Sequence, residues 1–332
     1  MHLKPRMAVM PEKKKAIVAF DTSNYTTSIA VCDTDGEVIA NLKAPLPVKT
    51  GERGLRQSDA VFAHTKNLPA LCDKLSEEIK ELDIVAVGVS STPRCAENSY
   101  MPCFLCGIAA AHSFASHRGL KVYETSHQNG HIMAAVYSSG AAEKLLKNRF
   151  LAFHVSGGTT EALLVTPSKN GAEFDVALVG ETDDINAGQA IDRVGVMLGL
   201  SFPCGKELEM LAASYSGRIE KKQVCVRDGK CSLSGVENIA QNMYSQGKSK
   251  EEIAAFVFDF ICRTLIKMTE QTLDKYGEMP VIYAGGVMSN MLMRDELSRR
   301  FDAHFAMPEF SADNAAGVAL ITQRKLLREE FI

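Results

Sequence analysis

Residues 150–164, FLAFHVSGGTTEALL, are matched by an earlier segment of the same chain, residues 17–31, IVAFDTSNYTTSIAV. In both stretches two apolar runs flank a short polar turn, which is the pattern of a β-hairpin. The aligned stretches share identical residues at five positions, which pair Ala19 with Ala152, Phe20 with Phe153, Ser23 with Ser156, Thr26 with Thr159 and Thr27 with Thr160. The chain therefore contains two copies of one hairpin.

A second pair of segments keeps the same order. An amphipathic run, 68–82, precedes the apolar IVAVGVS (84–90), and a run at 256–273 precedes VIYAGGV (281–287). Recurrence of the same elements in the same order predicts an internal duplication. We expect a disordered leader (1–15), two α/β domains (16–136 and 149–312) with a helical insertion at about 206–250, and a C-terminal helix (313–330) that packs on the first domain.

Length and composition narrow the class of protein. The 332 residues, of which 46% are hydrophobic, are enough for two domains with large cores. The net charge of −3 gives no general attraction to nucleic acid, so contact with RNA requires a local basic surface or a partner. No apolar run approaches the length that spans a bilayer, and the nine scattered cysteines do not suggest a disulfide framework. These features predict a cytoplasmic protein without a membrane partner.

The glycines of the second hairpin point to phosphate binding. Backbone N–H groups in a turn such as Ser156–Gly158 can face outward and bind phosphate oxygens. Gly157 and Gly158 could equally be structural turn glycines, but the repeat favours a nucleotide held between two related lobes. The sequence AGGVMSN (284–290) adds a second glycine turn that leads onto a helix, which also suits nucleotide binding.

Two histidines suggest a metal site. Thr125 or Ser126 can cap a helix that starts near His127, and this helix places His127 and His131 on one face at i, i+4 spacing. Such a pair can bind one metal ion, although a surface pair without a ligand fits the same spacing. Further along, Asp183 and Asp184 are expected to cap a helix, and Asp313 is expected to cap the last one. Asp192, at the edge of an apolar stripe, is either a solvated residue or a group that holds a ribose hydroxyl.

Several ordered motifs resemble one family. SGG (156–158), GETDD…GxAxD (180–192), PxG (203–205), AGGVxxN (284–290) and ADN (312–314) together resemble the TsaD family of tRNA threonylcarbamoyladenosine-modifying proteins, formerly called O-sialoglycoprotein endopeptidases. The resemblance covers about residues 16–322. It implies the actin-like ATPase (ASKHA) fold, with two duplicated α/β domains and a nucleotide cleft between them, in agreement with the repeat.

The resemblance also implies binding residues. It assigns one divalent metal, iron or zinc, to His127, His131 and Asp313, a ligand set that suits either ion. It places an adenine nucleotide (threonylcarbamoyl-AMP, AMP or ATP) in the second half of the chain, at Val155, Ser156, Gly157, Gly158, Asp192, Gly205, Gly285, Gly286 and Asn290.

The activity implied is transfer of a threonylcarbamoyl group to N6 of an anticodon-loop adenosine of tRNA. No protein nucleophile is needed, because the adenine amine attacks threonylcarbamoyl-AMP directly. The implied partners are tRNA and proteins similar to TsaB and TsaE, and a dimer formed through the first domain is another possible assembly.

The chain departs from the family pattern at several positions. Residues 24–27 (NYTT) replace the usual CDET, Thr159 replaces the histidine after SGG, Ile185 replaces an aspartate, Gln189 replaces a glutamate, and Cys204 replaces a glycine. The altered turn leaves a second hypothesis open: a divergent paralogue that binds an adenine nucleotide, has little or no ATPase activity, and pairs with a true family member.

Two other hypotheses are weaker. A metallopeptidase would need HExxH with glutamate as general base, whereas Gln128 occupies that position and cannot accept the proton. A small-molecule kinase on the same fold is the other alternative, and the sequence does not identify an acceptor for it.

Overall fold

The computed structural model describes residues 13–47, 55–169 and 171–330. The chain divides into two compact units, Met1–Gly130 together with Asn314–Ile332, and His131–Asp313. Among the described residues, every helix is too short or too polar to span a bilayer.

Unit 1 contains a five-stranded sheet. Its elements are β1 (Lys14–Thr22), β2 (Thr26–Asp33), β3 (Val38–Pro45), α1 (Gln57–Glu78), β4 (Leu82–Thr92), α2 (Phe104–Arg118), β5 (Val122–Ser126) and the start of α3 (His127–Ser138). The strand order is β3-β2-β1-β4-β5. β2 runs antiparallel to both neighbours, and β1, β4 and β5 are parallel.

Unit 2 contains a seven-stranded sheet. Its elements are α4 (Ala142–Leu145), β6 (Phe150–Val155), β7 (Thr160–Pro167), β8 (Phe174–Thr182), α5 (Ala187–Met197), α6 (Gly205–Ser214), β9 (Val226–Arg227), β10 (Lys230–Cys231), α7 (Gly235–Ser245), α8 (Lys250–Tyr276), β11 (Val281–Ala284), a 3-10 turn (Gly286–Ser289), α9 (Met291–Arg300), β12 (Ala303–Phe305) and α10 (Pro308–Ser311). The strand order is β12-β11-β6-β7-β8-β10-β9.

The two sheets share one topology. β6 pairs antiparallel with β7 and parallel with β11, as β1 does with β2 and β4. β8 and β12 complete the series in the positions of β3 and β5. Each unit therefore repeats the same five strands in the same order and direction, and the predicted duplication is confirmed.

The last helix, α11 (Ala316–Glu330), belongs to unit 1, where it packs against β1, β2 and β4. Gly88 on β4 makes this contact possible, because a Cβ atom there would lie 2.1 Å from Oγ1 of Thr322. In unit 2 the core is built around α8, whose aromatic and aliphatic side chains, such as Phe256 and Ile261, are buried. Burial of these faces fixes both sheets as rigid supports for the turns at their strand ends.

Some local predictions differ from the structure. Lys14 and Lys15 belong to β1 rather than to a disordered leader, and the other leader residues that precede Lys13 lie outside the described part of the chain. The segment 137–148, which lies between the two predicted domains, contains the end of α3 and the whole of α4. The stretch 206–250 is helical at both ends, but its middle forms β9 and β10, which extend the sheet.

Candidate metal and nucleotide sites

The histidine pair lies at the start of α3. β5 ends at Ser126, and its Oγ accepts a hydrogen bond from the N–H of Asn129 at 3.2 Å, which confirms the predicted cap. His127 and His131 follow on one face of the helix, and both are partly buried. The boundary between the units falls within this continuous helix, whose i, i+4 spacing places both side chains on the same face.

Asp313 contacts the second histidine inside unit 2. Its Oδ1 lies 3.0 Å from Nε2 of His131. The prediction that Asp313 caps the last helix is wrong, because the N–H of Ala316 donates to Oδ1 of Asn314 at 3.0 Å. Asn314 therefore does the capping, and the Asp313 carboxylate is directed to the histidine.

The three side chains fit a metal ion. One ligand atom from each of His127, His131 and Asp313 can be chosen so that all lie within 4.8 Å of one another. Two imidazoles and one carboxylate bind Zn(II) or Fe(II) and leave coordination positions open for a further ligand.

A buried carboxylate strengthens this assignment. Oδ2 of Asp21 lies 2.7 Å from Nδ1 of His127, and the Asp21 side chain is 1% exposed. Oδ1 of Asp21 has no hydrogen-bond partner among the described residues. A buried negative charge with so few partners is costly unless a positive charge is close, and a cation held by His127 would supply it.

Sequence reasoning missed two neighbours of the histidines. Asp21 was not recognised as a contact of His127, and His154 at the end of β6 lies with its ring centroid 5.3 Å from that of His131. The internal repeat held a signal for both, because Asp21 and His154 are equivalent positions of the two hairpins.

The glycine turn follows β6. Ser156 closes it, since its N–H donates to the carbonyl of Thr159 at 2.7 Å and its Oγ accepts from the N–H groups of Gly158 and Thr159. The N–H of Gly157 has no partner within the described ranges, and a Cβ atom at Gly157 or Gly158 would meet nothing within 4 Å. The turn thus presents an open donor of the kind that binds anions.

Helix α5 begins directly beneath this turn. The N–H of Gly188 donates to the carbonyl of Ser156 at 3.1 Å, and a Cβ atom at Gly188 would lie 2.6 Å from N of Gly157. Gln189 accepts a hydrogen bond from the N–H of Asn186 at 3.1 Å, so it caps the helix as a glutamate would.

The predicted cap of α5 by Asp183 and Asp184 is wrong, since the helix starts at Ala187. Asp184 instead accepts hydrogen bonds from Ser232, Leu233 and Ser234 and fastens the end of β8 to the start of α7. Asp183 pairs with Lys230.

Asp192 on α5 is tied to the turn before α6. Its Oδ1 accepts a hydrogen bond from the N–H of Cys204 at 2.8 Å, which places it beside Gly205, the first residue of α6. Burial raises the pKa of the Asp192 carboxyl, and the Cys204 bond offsets part of that rise. The Cys204 side chain fills the space above Gly195, where a Cβ atom would lie 2.2 Å from Cβ of Cys204.

The second glycine turn lies at the end of β11. Gly285 has φ of 100° and a Cβ atom there would be 2.2 Å from the carbonyl oxygen of Val155, so only glycine fits. Gly286 begins the 3-10 turn, and Asn290 caps α9 by accepting from the N–H of Met293 at 2.9 Å. Nδ2 of Asn290 is buried without a hydrogen-bond partner in the described chain. This amide can donate to a ligand.

These candidate residues occur in three local groups of unit 2. Val155 adjoins Gly285, the Ser156–Gly158 turn adjoins α5, and Asp192 adjoins Gly205. The N–H of Met291 donates to Glu209 of α6 at 2.7 Å, which links the Asn290 cap to the helix that Gly205 starts.

The altered turn at 24–27 is neutral. Nε2 of His64 must donate to the carbonyl of Ser23 at 2.7 Å, so Nδ1 accepts from the hydroxyl of Thr27 at 2.8 Å. Burial lowers the pKa of His64, in keeping with this neutral form. Asn24 accepts from Gln57 at 2.9 Å. The hydrogen-bonded groups Asn24 and Thr27 of this turn are therefore neutral, and the positions of the missing acidic pair are occupied by Tyr25 and Thr26.

Comparisons with known proteins agree with the fold. The chain aligns over 95% of its length with an activator of 2-hydroxyisocaproyl-CoA dehydratase from Clostridium difficile with bound ADPNP (TM-score 0.52, 13% identity, 97% of that chain). It also aligns over 95% of its length with 56% of full-length HypF in a phosphate- and nucleotide-bound form (TM-score 0.57, 12% identity). These likenesses concern the fold alone and confirm the actin-like ATPase architecture.

Sequence relatives identify the family. Proteins of Streptococcus pneumoniae strains Taiwan19F-14 and D39, both named tRNA N6-adenosine threonylcarbamoyltransferase, are 30% identical over 334 residues, which cover 96% of this chain and 95% of each relative. The family model described as TsaD, tRNA N6-adenosine threonylcarbamoyltransferase, matches residues 40–320. The chain therefore belongs to the TsaD family of transferases.

Proposed function

We propose that the protein transfers a threonylcarbamoyl group from threonylcarbamoyl-AMP to N6 of an adenosine in the anticodon loop of tRNA. Membership of the family supports this reaction. The observation that carries it is the set of His127, His131 and Asp313, which is retained with mutually close ligand atoms despite the departures elsewhere. A tRNA substrate would place the protein in the cytoplasm.

The two groups of candidate residues would bind different parts of the reacting complex, a metal ion and a nucleotide. His127, His131 and Asp313 would hold one divalent ion, iron or zinc, and such an ion would supply Lewis-acid polarisation of a substrate oxygen. The nucleotide would bind in unit 2, with the Ser156–Gly158 turn at its phosphate and Asp192 at its ribose. The unpartnered Nδ2 of Asn290 is a suitable donor to the base.

The chemistry needs no covalent protein intermediate. The N6 amine of adenosine forms a C–N bond to the carbamoyl carbon, the bond from that carbon to the phosphate oxygen breaks, AMP leaves with the electron pair, and one N6 proton passes to solvent. The open N–H of Gly157 would donate to an oxygen of the substrate, where a fixed donor stabilises developing negative charge.

Reconstitution tests this proposal. The purified protein is mixed with threonylcarbamoyl-AMP, unmodified tRNA and any TsaB-like and TsaE-like partners from the same source, and the digested RNA is examined for threonylcarbamoyladenosine. Product that disappears in His127→Ala and Asp313→Ala is the expected result. Absence of product beside an active family member as control would overturn the transferase proposal.

A second candidate is a nucleotide-binding paralogue that pairs with a true family member through its first domain. The neutral turn at 24–27 favours it, because Tyr25 and Thr26 replace the acidic pair of the usual turn. This candidate predicts AMP binding without transfer, and a stable complex with an authentic TsaD protein in size-exclusion chromatography.

A further inference from the structure

We propose that Asp21 is a positioning residue of the metal site, holding the imidazole of His127 so that Nε2 faces the metal. This inference rests on the metal site of the proposed function and assigns a role to a residue outside its ligand set. The direct observation is the 2.7 Å contact between Oδ2 of Asp21 and Nδ1 of His127.

The chemistry of the two groups settles which nitrogen is left for a metal. The ionised carboxylate can only accept, so Nδ1 of His127 carries the hydrogen of this bond. In the neutral ring the lone pair is then on Nε2, so Nε2 is the nitrogen that can bind a metal. A histidine whose other nitrogen donates to a carboxylate is held in one tautomer and is a stronger ligand.

Asp21 is itself held rigidly. It lies on β1, opposite Ser28 of β2, and Oγ of Ser28 donates to its carbonyl oxygen at 3.2 Å. The next residue, Thr22, fixes the same strand end to α2, because its Oγ1 donates to the carbonyl of Cys103 and accepts from the N–H of Gly107 at 2.9 Å each. The carboxylate therefore has little freedom to turn away from His127.

Burial makes the contact between Asp21 and His127 important for metal affinity. Asp21 is fully buried, and its Oδ1 lacks a hydrogen-bond partner in the described part of the chain. The carboxylate must therefore draw its compensation through His127, and a metal on Nε2 increases the positive character of the ring. Metal affinity and the charge of Asp21 are accordingly coupled.

The test uses the full chain, stripped of metal and titrated with cobalt(II), whose visible absorption reports ligand number and geometry. Asp21→Asn keeps the size of the side chain and removes the charge, and Asp21→Ala removes the contact. We expect either variant to bind cobalt about 10- to 100-fold more weakly. The rise in Tm that cobalt produces in the wild type should shrink in both.

Asp33→Asn is the matched control. Asp33 is a buried carboxylate at the opposite end of the same hairpin, paired with Ala16 and held by the N–H groups of Asp35 and Glu37. The Asp33→Asn variant should bind cobalt as tightly as the wild type does. This comparison separates the role of Asp21 from a general effect of removing a buried charge in this sheet.

The outcomes are distinguishable. Wild-type affinity and an unchanged cobalt spectrum in both Asp21 variants, beside loss of binding in His131→Ala, would overturn the positioning role and leave the metal site intact. Failure of the wild type to bind cobalt would overturn the proposed metal site and the role of Asp21 together. The expected result is that both Asp21 variants bind cobalt more weakly than the wild type, while their circular dichroism spectra match the wild-type spectrum and show that the fold is intact.

Discussion

Asp21 and His154 are equivalent positions of the two repeated hairpins, each directly after the phenylalanine that both strands share, and each lies beside one histidine of α3. Asp21 contacts Nδ1 of His127 at 2.7 Å, and the ring of His154 lies 5.3 Å from that of His131. Duplication thus placed a side chain at the same strand position beside each histidine. One is a carboxylate and the other an imidazole, so the two histidines have different supports.

Replacing His154 by alanine should weaken metal binding without abolishing it. His154 lies outside the set of three ligands, and its ring restricts the orientation of His131. Loss of a ring–ring contact worth about 0.5–1.5 kcal/mol corresponds to a roughly 2- to 13-fold lower zinc affinity. Competition titration with a chromophoric chelator measures it, with His131→Ala as the variant that loses binding. Equal loss in both variants would make His154 a ligand.

Gly157 in the candidate phosphate-binding turn and Gly188 on the adjoining helix α5 should respond differently to alanine. A Cβ atom at Gly188 would lie 2.6 Å from N of Gly157, so Gly188→Ala must displace the turn and should cost about 1–3 kcal/mol of stability.

The Cβ atom added by Gly157→Ala would meet nothing within 4 Å, so this variant should be nearly as stable as the wild type. It should bind AMP more weakly, because the methyl group occupies the open face of the turn. Chemical denaturation and calorimetric AMP titration measure the two effects.

A different result would contradict the prediction for each glycine variant. A Gly188→Ala protein with wild-type stability would show that the turn and α5 separate easily. A Gly157→Ala protein with wild-type AMP affinity would show that the nucleotide does not approach the turn.

The duplication and the order of elements could be read from the sequence, because hairpins and buried helices have strong periodic patterns. The SGG turn and the helix that starts at His127 both followed from local chemistry. The small strands β9 and β10 could not be predicted, since two residues each are too few to show any period.

The sequence did not reveal contacts between side chains that are far apart along the chain. Asp21 looked like one more polar residue near a turn, and its burial against His127 follows from the pairing of β1 with β2 and β4. The caps at Asp184 and Asp313 were misassigned for a related reason: each carboxylate has a tertiary partner that competes with the nearby helix N-terminus. Local propensity gave the right type of residue and the wrong partner.

Asp184→Asn should destabilise the protein at neutral pH. Burial alone would raise the pKa of Asp184, but hydrogen bonds from Ser232, Ser234 and neighbouring N–H groups outweigh it and hold the pKa well below its usual range. A carboxyl whose folded pKa is depressed stabilises the fold above the unfolded value near 3.8, and this contribution is lost as pH falls through the folded pKa.

The expected loss for Asp184→Asn is about 1–2 kcal/mol, at the low end for bonds to a charged group because the site is partly exposed. Urea denaturation at pH 7 measures it, and the difference from the wild type should begin to narrow below about pH 4. A variant as stable as the wild type at pH 7 would show that the loop at 232–234 is held by its backbone contacts instead.

Asp192→Asn should stabilise the protein at neutral pH, unlike Asp184→Asn, and should weaken nucleotide binding. Burial raises the pKa of Asp192 above 3.8, and the bond from Cys204 offsets only part of the rise. Because the folded pKa is the higher one, the charged form costs stability at neutral pH, and that cost disappears as pH falls through the folded pKa. Asparagine keeps an acceptor for the N–H of Cys204 without the charge, so Tm should rise at pH 7, and the difference from the wild type should shrink as pH falls and vanish only below the unfolded pKa of 3.8.

If Asp192 accepts from a ribose hydroxyl, removing its charge should reduce AMP affinity by about tenfold or more, since a hydrogen bond to a charged group contributes roughly 1.5–3 kcal/mol. Calorimetric titration with AMP at pH 7 measures this, and Asp184→Asn is the control that changes a carboxylate of the same unit away from Gly205. A higher Tm together with unchanged AMP affinity would confirm the burial of the charge and remove Asp192 from the nucleotide site.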